Sequence, residues 1–240
     1  MLLNYIYFGH SKPVLRKDKI LCTYCDTIAT TSDHVPPKLL FSKPRPTMIT
    51  VPSCLQCNNG ASLDDEYFRL VTSIKREAGN HPDAKNVSQA ALRSLEKPNK
   101  KGFAQAFREA GRVFNEYSDS GIYLGKVEGI EVKKARLNRT IERVTRGLFL
   151  NCEGRRLDPS VKVTAYSTDG LSQQIKKREM FKKLWNSCGE IQSIGEDTFT
   201  WRYFVYPDQL DTSYWILQIY GAITFIAFTI GDKPLTPLDS

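Results

Sequence analysis

The sequence predicts an α+β protein: a small cysteine-stapled module near the N-terminal end, followed by a larger region of helices and antiparallel sheet. Three observations lead there. Two C-x-x-C pairs, Cys22-Thr23-Tyr24-Cys25 and Cys54-Leu55-Gln56-Cys57, sit in a stretch rich in Pro, Thr and Ser. Arg136 to Leu150 repeats apolar residues at helical spacing. Phe199 to Tyr206 and Tyr214 to Ile230 are dense in aromatic and β-branched residues, with Gly221 placed for a turn. The boundary falls near residue 80, giving parts 1–80 and 81–240. No flexible linker separates them, so both can pack as one unit.

In order along the chain, residues 1–20 read as a lead-in with one short strand, Tyr5 to Phe8. Residues 20–61 are loop-rich. A helix is expected from Ser62, whose hydroxyl would cap it while Asp64, Asp65 and Glu66 meet its positive end. Phe68, Val71 and Ile74 supply its buried stripe, and Gly79 ends it. A second helix is expected from Ser88 to Glu96 and a third from Phe103 to Tyr117, with strands at Gly121 to Leu124 and Ile130 to Lys133. Within the 136–150 helix, Leu137, Ile141, Val144 and Leu148 form one face. Arg136, Arg139, Arg143 and Arg146 form another, centred about 150° away at 100° per residue. Val161 to Tyr166 alternates like a strand. Leu171 to Trp185 reads as a basic helix with Ile175, Phe181 and Leu184 inward.

The 240 residues, 41% hydrophobic and 25% charged, describe an ordinary globular chain. Such a chain can bury a core without staples, so a metal needs its own argument. The formal charge of +8 points to a polyanionic partner, nucleic acid or an acidic membrane surface. The membrane alternative fares worse. Trp215 to Ile230 is too short to span and contains Gln218, Gly221, Thr224 and Thr229. Met1 to Phe8 lacks a basic leader and a small-residue cleavage site. The expectation is a cytoplasmic protein that binds nucleic acid and no membrane, in a compartment where thiols stay reduced.

There, tight cysteine pairs favour metal over disulfide. A two-residue gap lets one turn aim two sulfurs at the same ion, and two such turns close a tetrahedral, structural zinc site. Cys22, Cys25, Cys54 and Cys57 are its expected ligands. Cys152 and Cys188 lack such spacing and are expected to be ordinary buried residues.

Between the pairs runs Thr31-Ser32-Asp33-His34-Val35-Pro36-Pro37, and Asn58-Asn59 follows Cys57 directly. A C-x-x-C, an Asp-His pair followed by an apolar residue and a proline, the phrase Val51-Pro52-Ser53-Cys54 and a second C-x-x-C with a polar residue after it resemble the HNH endonuclease family. The resemblance covers residues 20–70. It implies a ββα-metal module in which His34 is the general base and Asp33 and Asn58 hold one Mg²⁺ or Mn²⁺ against the scissile phosphate. Asn59 is the alternative if the register slips by one. The chemistry is consistent: an imidazole can take a proton from water near neutral pH, and carboxylate and amide oxygens suit a hard ion. The sequence departs from the family in carrying Thr47 where a central asparagine usually orients the histidine. It also carries Asn58 where many members have histidine.

Lys38, Lys43 and Arg45 lie near this segment and are expected to contact the substrate backbone. Arg139, Arg143 and Arg146 are a further candidate phosphate-binding face. A solvated face with pairs such as Arg139 to Glu142 is the plain alternative. The expected function is a metal-dependent endonuclease acting on DNA, with RNA left open. The alternatives are a catalytically silent zinc-knuckle nucleic-acid binder and a protein-interaction module that uses zinc only to fold.

Overall fold

The computed structural model describes residues 20–118, 120–168 and 175–231. The expected Tyr5 to Phe8 strand and the start of the Leu171 helix lie outside them. Strands β1 (Thr31–Val35) and β2 (Ile49–Ser53) pair antiparallel, with His34 opposite Thr50 and Asp33 opposite Val51. Helix α1 (Leu55–Gly60) follows at once, and α2 (Ser62–Ser73) continues from it across Ala61. Helix α2 thus begins at the expected Ser62, but α1 precedes it and Ser62 does not cap it. The Cys54 sulfur, not a hydroxyl, caps α1: Cys54 Sγ accepts from the Cys57 N–H at 3.4 Å. Ser62 Oγ instead donates to Asn59 O at 2.8 Å.

Helix α3 (Pro82–Leu95) also begins earlier than expected. Proline at the first helical turn forfeits no needed hydrogen bond, and the His81 ring accepts from the Asp83 N–H at 3.2 Å. The expected third helix is corrected. Helix α4 (Lys101–Glu109) stops before Gly111, and Gly111–Tyr117 is strand β3, paired with β4 (Tyr123–Ile130). Val113, Phe114 and Tyr117 prefer an extended chain, and the tight turn after Tyr117 returns β4 alongside. Of the expected strands at 121–124 and 130–133, only Tyr123, Leu124 and Ile130 lie in β4, and residues 131–133 form no strand.

Helix α5 (Lys134–Glu153) is the axis of the molecule. Leu137, Ile141, Val144 and Leu148 are buried, as their spacing requires. They join one hydrophobic core with Val35, Leu40 and Val51 from the hairpin loop region and Trp215, Leu217 and Phe225 from the large sheet. Both halves of the chain therefore share a core. The closest approach is at Gly147, where an added Cβ would meet Val35 Cγ2 at 2.4 Å.

The large sheet has the order β5-β9-β8-β7-β6 and is antiparallel throughout. Its strands are β5 (Lys162–Ser167), β6 (Gln192–Ile194), β7 (Phe199–Tyr206), β8 (Gln209–Ile219) and β9 (Ile223–Ile230). Gly221, at φ +64°, turns β8 into β9. Alternation along β8 divides the two faces. Trp215, Leu217 and Ile219 belong to the α5 core, whereas Tyr214 and Ile216 form a second cluster with Phe181 and Leu184 of α6 (Ile175–Ser187). The Trp215 to Ile230 stretch is thus a buried hairpin. Among the described residues no helix is long and apolar enough to cross a membrane.

Candidate metal centre and adjoining polar site

The first cysteine pair lies in the turn closed by the Leu21–Ile28 bridge, and the second lies at the junction of β2 and α1. β2 pairs with β1, so folding the hairpin brings the two pairs together. All four sulfurs lie within 4.8 Å of one another. Cys25 Sγ is 3.7 Å from Cys54 Sγ and 3.6 Å from Cys57 Sγ. A tetrahedron of sulfurs about 2.3 Å from zinc has edges of roughly 3.8 Å, so the donor set fits such an ion. The chain therefore carries a four-cysteine cluster able to bind a metal such as zinc.

The electrostatics agree. Hydrogen bonds from Thr27 pull the Cys25 thiol down to about 6. Burial and the neighbouring thiols push Cys57 up, since several thiolates crowd together only when a cation neutralises them. Cys188, buried against α6, is pushed up to about 11 by burial and is a packing residue.

One residue outside the cluster holds it in place. Arg156 Nη1 donates to Cys22 O at 3.1 Å and Cys25 O at 2.8 Å, and Nη2 donates to Asp26 Oδ1 at 2.9 Å. It approaches the first cysteine turn from the far end of α5. Its role left no signal in sequence spacing, because more than a hundred residues separate the partners.

The polar site is built on β1. Thr31, Asp33 and Val35 share one face and His34 takes the other, as alternation dictates. Asp33 is buried; its Oδ2 accepts from Tyr24 Oη at 2.7 Å and from Arg143 Nη2 at 3.0 Å. Arg143 also donates to Asp65 Oδ2 at 3.2 Å. Burial opposes the Arg143 charge, but Asp65 and Asp33 outweigh it and hold the guanidinium protonated. Burial and the Asp33 charge push the Tyr24 hydroxyl up, so it remains a donor. Asn58, one residue past the cluster, lays its amide across β1. Nδ2 donates to Thr31 Oγ1 at 3.1 Å and Ser32 O at 3.2 Å, and Oδ1 has no partner among the described residues.

His34 stands on the opposite, more open face. Burial, Lys38 and Arg45 together hold its imidazole below the usual histidine range. The neutral ring is the form that can accept a proton. Among the described residues no hydrogen bond orients this ring. Thr47 is exposed two residues before β2 begins, and Thr50 is the residue that faces His34.

The expected arginine face is engaged within the protein. Arg139 Nε donates to Asp64 at 2.8 Å, as does Arg136 Nε at 2.7 Å, so the alternative of pairs within α5 gives way to pairs with α2. Arg146 donates to the main-chain oxygens of Asp158 and Pro159 at 3.2 and 3.4 Å. Burial raises the Asp64 carboxyl, but the two arginines outweigh it and draw it down. A cleft of about 400 Å³ opens between these arginines and the α1–α2 junction, with Asp64 and Glu142 also in its wall.

Comparison with family models, curated proteins and solved structures gave no match. The resemblance to HNH endonucleases thus stands on the residues quoted above.

Proposed function

We propose that this protein is a metal-dependent endonuclease of the HNH type that hydrolyses phosphodiester bonds in DNA within the cytosol, with His34 as general base. The observation that carries the reading is the unit formed by β1, β2 and α1. A four-cysteine cluster stands at its base, Asp33 and His34 lie on β1, and the Asn58 amide rests across the same strand.

Zinc, as the ion in the cysteine cluster, would fix the β2–α1 junction and take no part in the chemistry. His34, held neutral, accepts the proton of an attacking water. Lys38 and Arg45, close enough to bias the His34 charge, offset the charge of the phosphate. Asp33 on β1 and Asn58 beside it offer a carboxylate and an amide oxygen, donors that suit Mg²⁺ or Mn²⁺. Such an ion, when bound, supplies charge stabilisation at the phosphate. Arg143 now holds Asp33, so the ion could enter only as that guanidinium withdraws.

That ion pair, and the placing of Asp33 and His34 on opposite faces of β1, favour a second reading, a catalytically silent zinc-knuckle protein that binds nucleic acid. That no partner orients the His34 ring among the described residues points the same way. Supercoiled plasmid incubated with zinc-loaded protein separates the two. Nicking that requires added Mg²⁺ or Mn²⁺, at unchanged zinc content, supports the nuclease. Salt-sensitive binding with the plasmid left intact supports the silent binder.

A further inference from the structure

A second cleft, of about 260 Å³, lies between the loop after the short turn Lys38–Leu40 and helices α2 and α3. Lys43, Arg45, Arg69 and Asn86 line it beside Phe41 and Val87, and no carboxylate does. This separates it from the larger cleft, whose arginines already have acceptors in Asp33, Asp64, Asp65 and main-chain carbonyls.

Arg69 is the informative residue. Its side chain is 13% exposed, its Nη2 donates to Ser94 Oγ at 3.3 Å, and Glu66 stands 3.8 Å away. Glu66 is shared with Lys100, so one carboxylate serves two cations. Arg69 Nε is buried with no hydrogen-bond partner. A buried guanidinium nitrogen left unpaired is costly, so Arg69 keeps hydrogen-bonding capacity that its protein partners do not use. Asp83, the carboxylate bound to the neighbouring Ser42, is already taken by Ser42 N–H at 3.0 Å and Thr198 Oγ1 at 2.6 Å.

The cleft is also tied to the polar site. Arg45 Nε donates to Lys38 O at 2.9 Å, which fixes its position while its terminal nitrogens find no acceptor among the described residues. Lys38 is four residues past His34, in the short turn that follows β1. A strand crossing His34 would therefore meet Lys38, then Arg45, then the cleft.

We propose that the cleft formed by Lys43, Arg45, Arg69 and Asn86 seats one backbone phosphate of the DNA substrate, flanking the phosphodiester presented to His34. The assignment rests on the nuclease reading for its substrate and on the cleft's own chemistry for its location.

The test is fluorescence anisotropy with a labelled DNA duplex and the zinc-loaded full chain, across a salt series without added Mg²⁺. Wild type is compared with Lys43→Ala/Arg45→Ala, with Arg69→Gln and with Arg139→Ala from the other cleft. Losing one phosphate contact should lower the slope of log K against log salt by about 0.9. The expected result is that flattening, with roughly ten-fold weaker binding, in the first two variants only. The conservative Arg69→Lys, with charge kept, should retain most binding and guards against a folding defect in Arg69→Gln. An unchanged slope in Lys43→Ala/Arg45→Ala overturns the seat. So does equal loss in Arg139→Ala. Plasmid nicking is read in parallel. A flattened slope without any wild-type nicking upholds the seat and rejects the nuclease, whereas full nicking with an unchanged slope does the reverse.

Discussion

Gly147→Ala should destabilise the protein even though alanine is the better helix former. Gly147 lies on α5 against Val35 of β1, one residue from His34. A Cβ there would lie 2.4 Å from Val35 Cγ2, 3.0 Å from Cγ1 and 3.2 Å from Cβ. Rotating Val35 can move the two methyls but not its Cβ, so a new rotamer cannot clear the overlap. The helix or the hairpin must shift. Alanine gains about 1 kcal/mol over glycine in a helix, and overpacking costs about 1–3 kcal/mol. With the fixed Cβ in the way, the upper end of that cost applies, for a net loss of about 1–2 kcal/mol. Urea denaturation of Gly147→Ala, Val35→Ala and the double variant measures this. Val35→Ala vacates the space, so the double variant should be more stable than the two single losses predict, by about 1 kcal/mol or more. Additive losses, or a Gly147→Ala protein as stable as wild type, would refute the packing of α5 on β1.

Three further outcomes follow from the site. Arg143→Met leaves Asp33 and Asp65 buried without their cation and should cost about 3–5 kcal/mol by denaturant titration. The loss should shrink in acid. Burial already raises Asp65 above its ordinary range, and removing Arg143 raises it further. The folded state then binds protons more tightly than the unfolded one, so stability falls as pH rises through that range. Equal losses at pH 5 and pH 8 would contradict it. Metal analysis should find one zinc per chain, and chelation or Cys54→Ser should unfold the β1–β2–α1 unit in circular dichroism; a chain that keeps its fold metal-free would count against a structural ion. Arg156→Ala removes the clamp on the Cys22 and Cys25 carbonyls. It should weaken zinc affinity in a chelator competition by about ten-fold, the scale typical of groups that orient ligands. Unchanged competition would place Arg156 outside the metal's support.

How much was readable depends on the range of the interaction. The cysteine cluster was legible because each C-x-x-C is a local device and a metal needs two of them. The apolar stripe of α5 was legible for the same reason: Leu137, Ile141, Val144 and Leu148 repeat at helical spacing and are all buried. Four strands of the large sheet followed from composition and alternation, whereas β6, three residues long, carried too short a pattern to be read. The third helix failed at Gly111, where an alanine-rich helix gives way to a run that only its pairing with β4 makes into a strand. Ser62 failed as a cap because the cysteine turn had already started the helix at Leu55. The arginine stripe shows the limit most clearly. Its periodicity was real, yet periodicity cannot say whether a charged face meets solvent, phosphate or a carboxylate. Asp64 and Asp65 on α2 and Asp33 on β1 answer that, through contacts 72 to 110 residues apart in the chain. For Asp33 and His34, adjacency in sequence places them on opposite faces of β1, which the pair alone did not reveal.

The most direct measurement is plasmid nicking by His34→Ala beside wild type, at matched zinc content and matched circular dichroism. His34 is half-exposed and its ring makes no hydrogen bond among the described residues, so its removal should leave the fold intact. The account predicts Mg²⁺- or Mn²⁺-dependent nicking by wild type and a loss of about 10²-fold or more in the variant, the scale of a missing general base. Equal nicking by both proteins would contradict it.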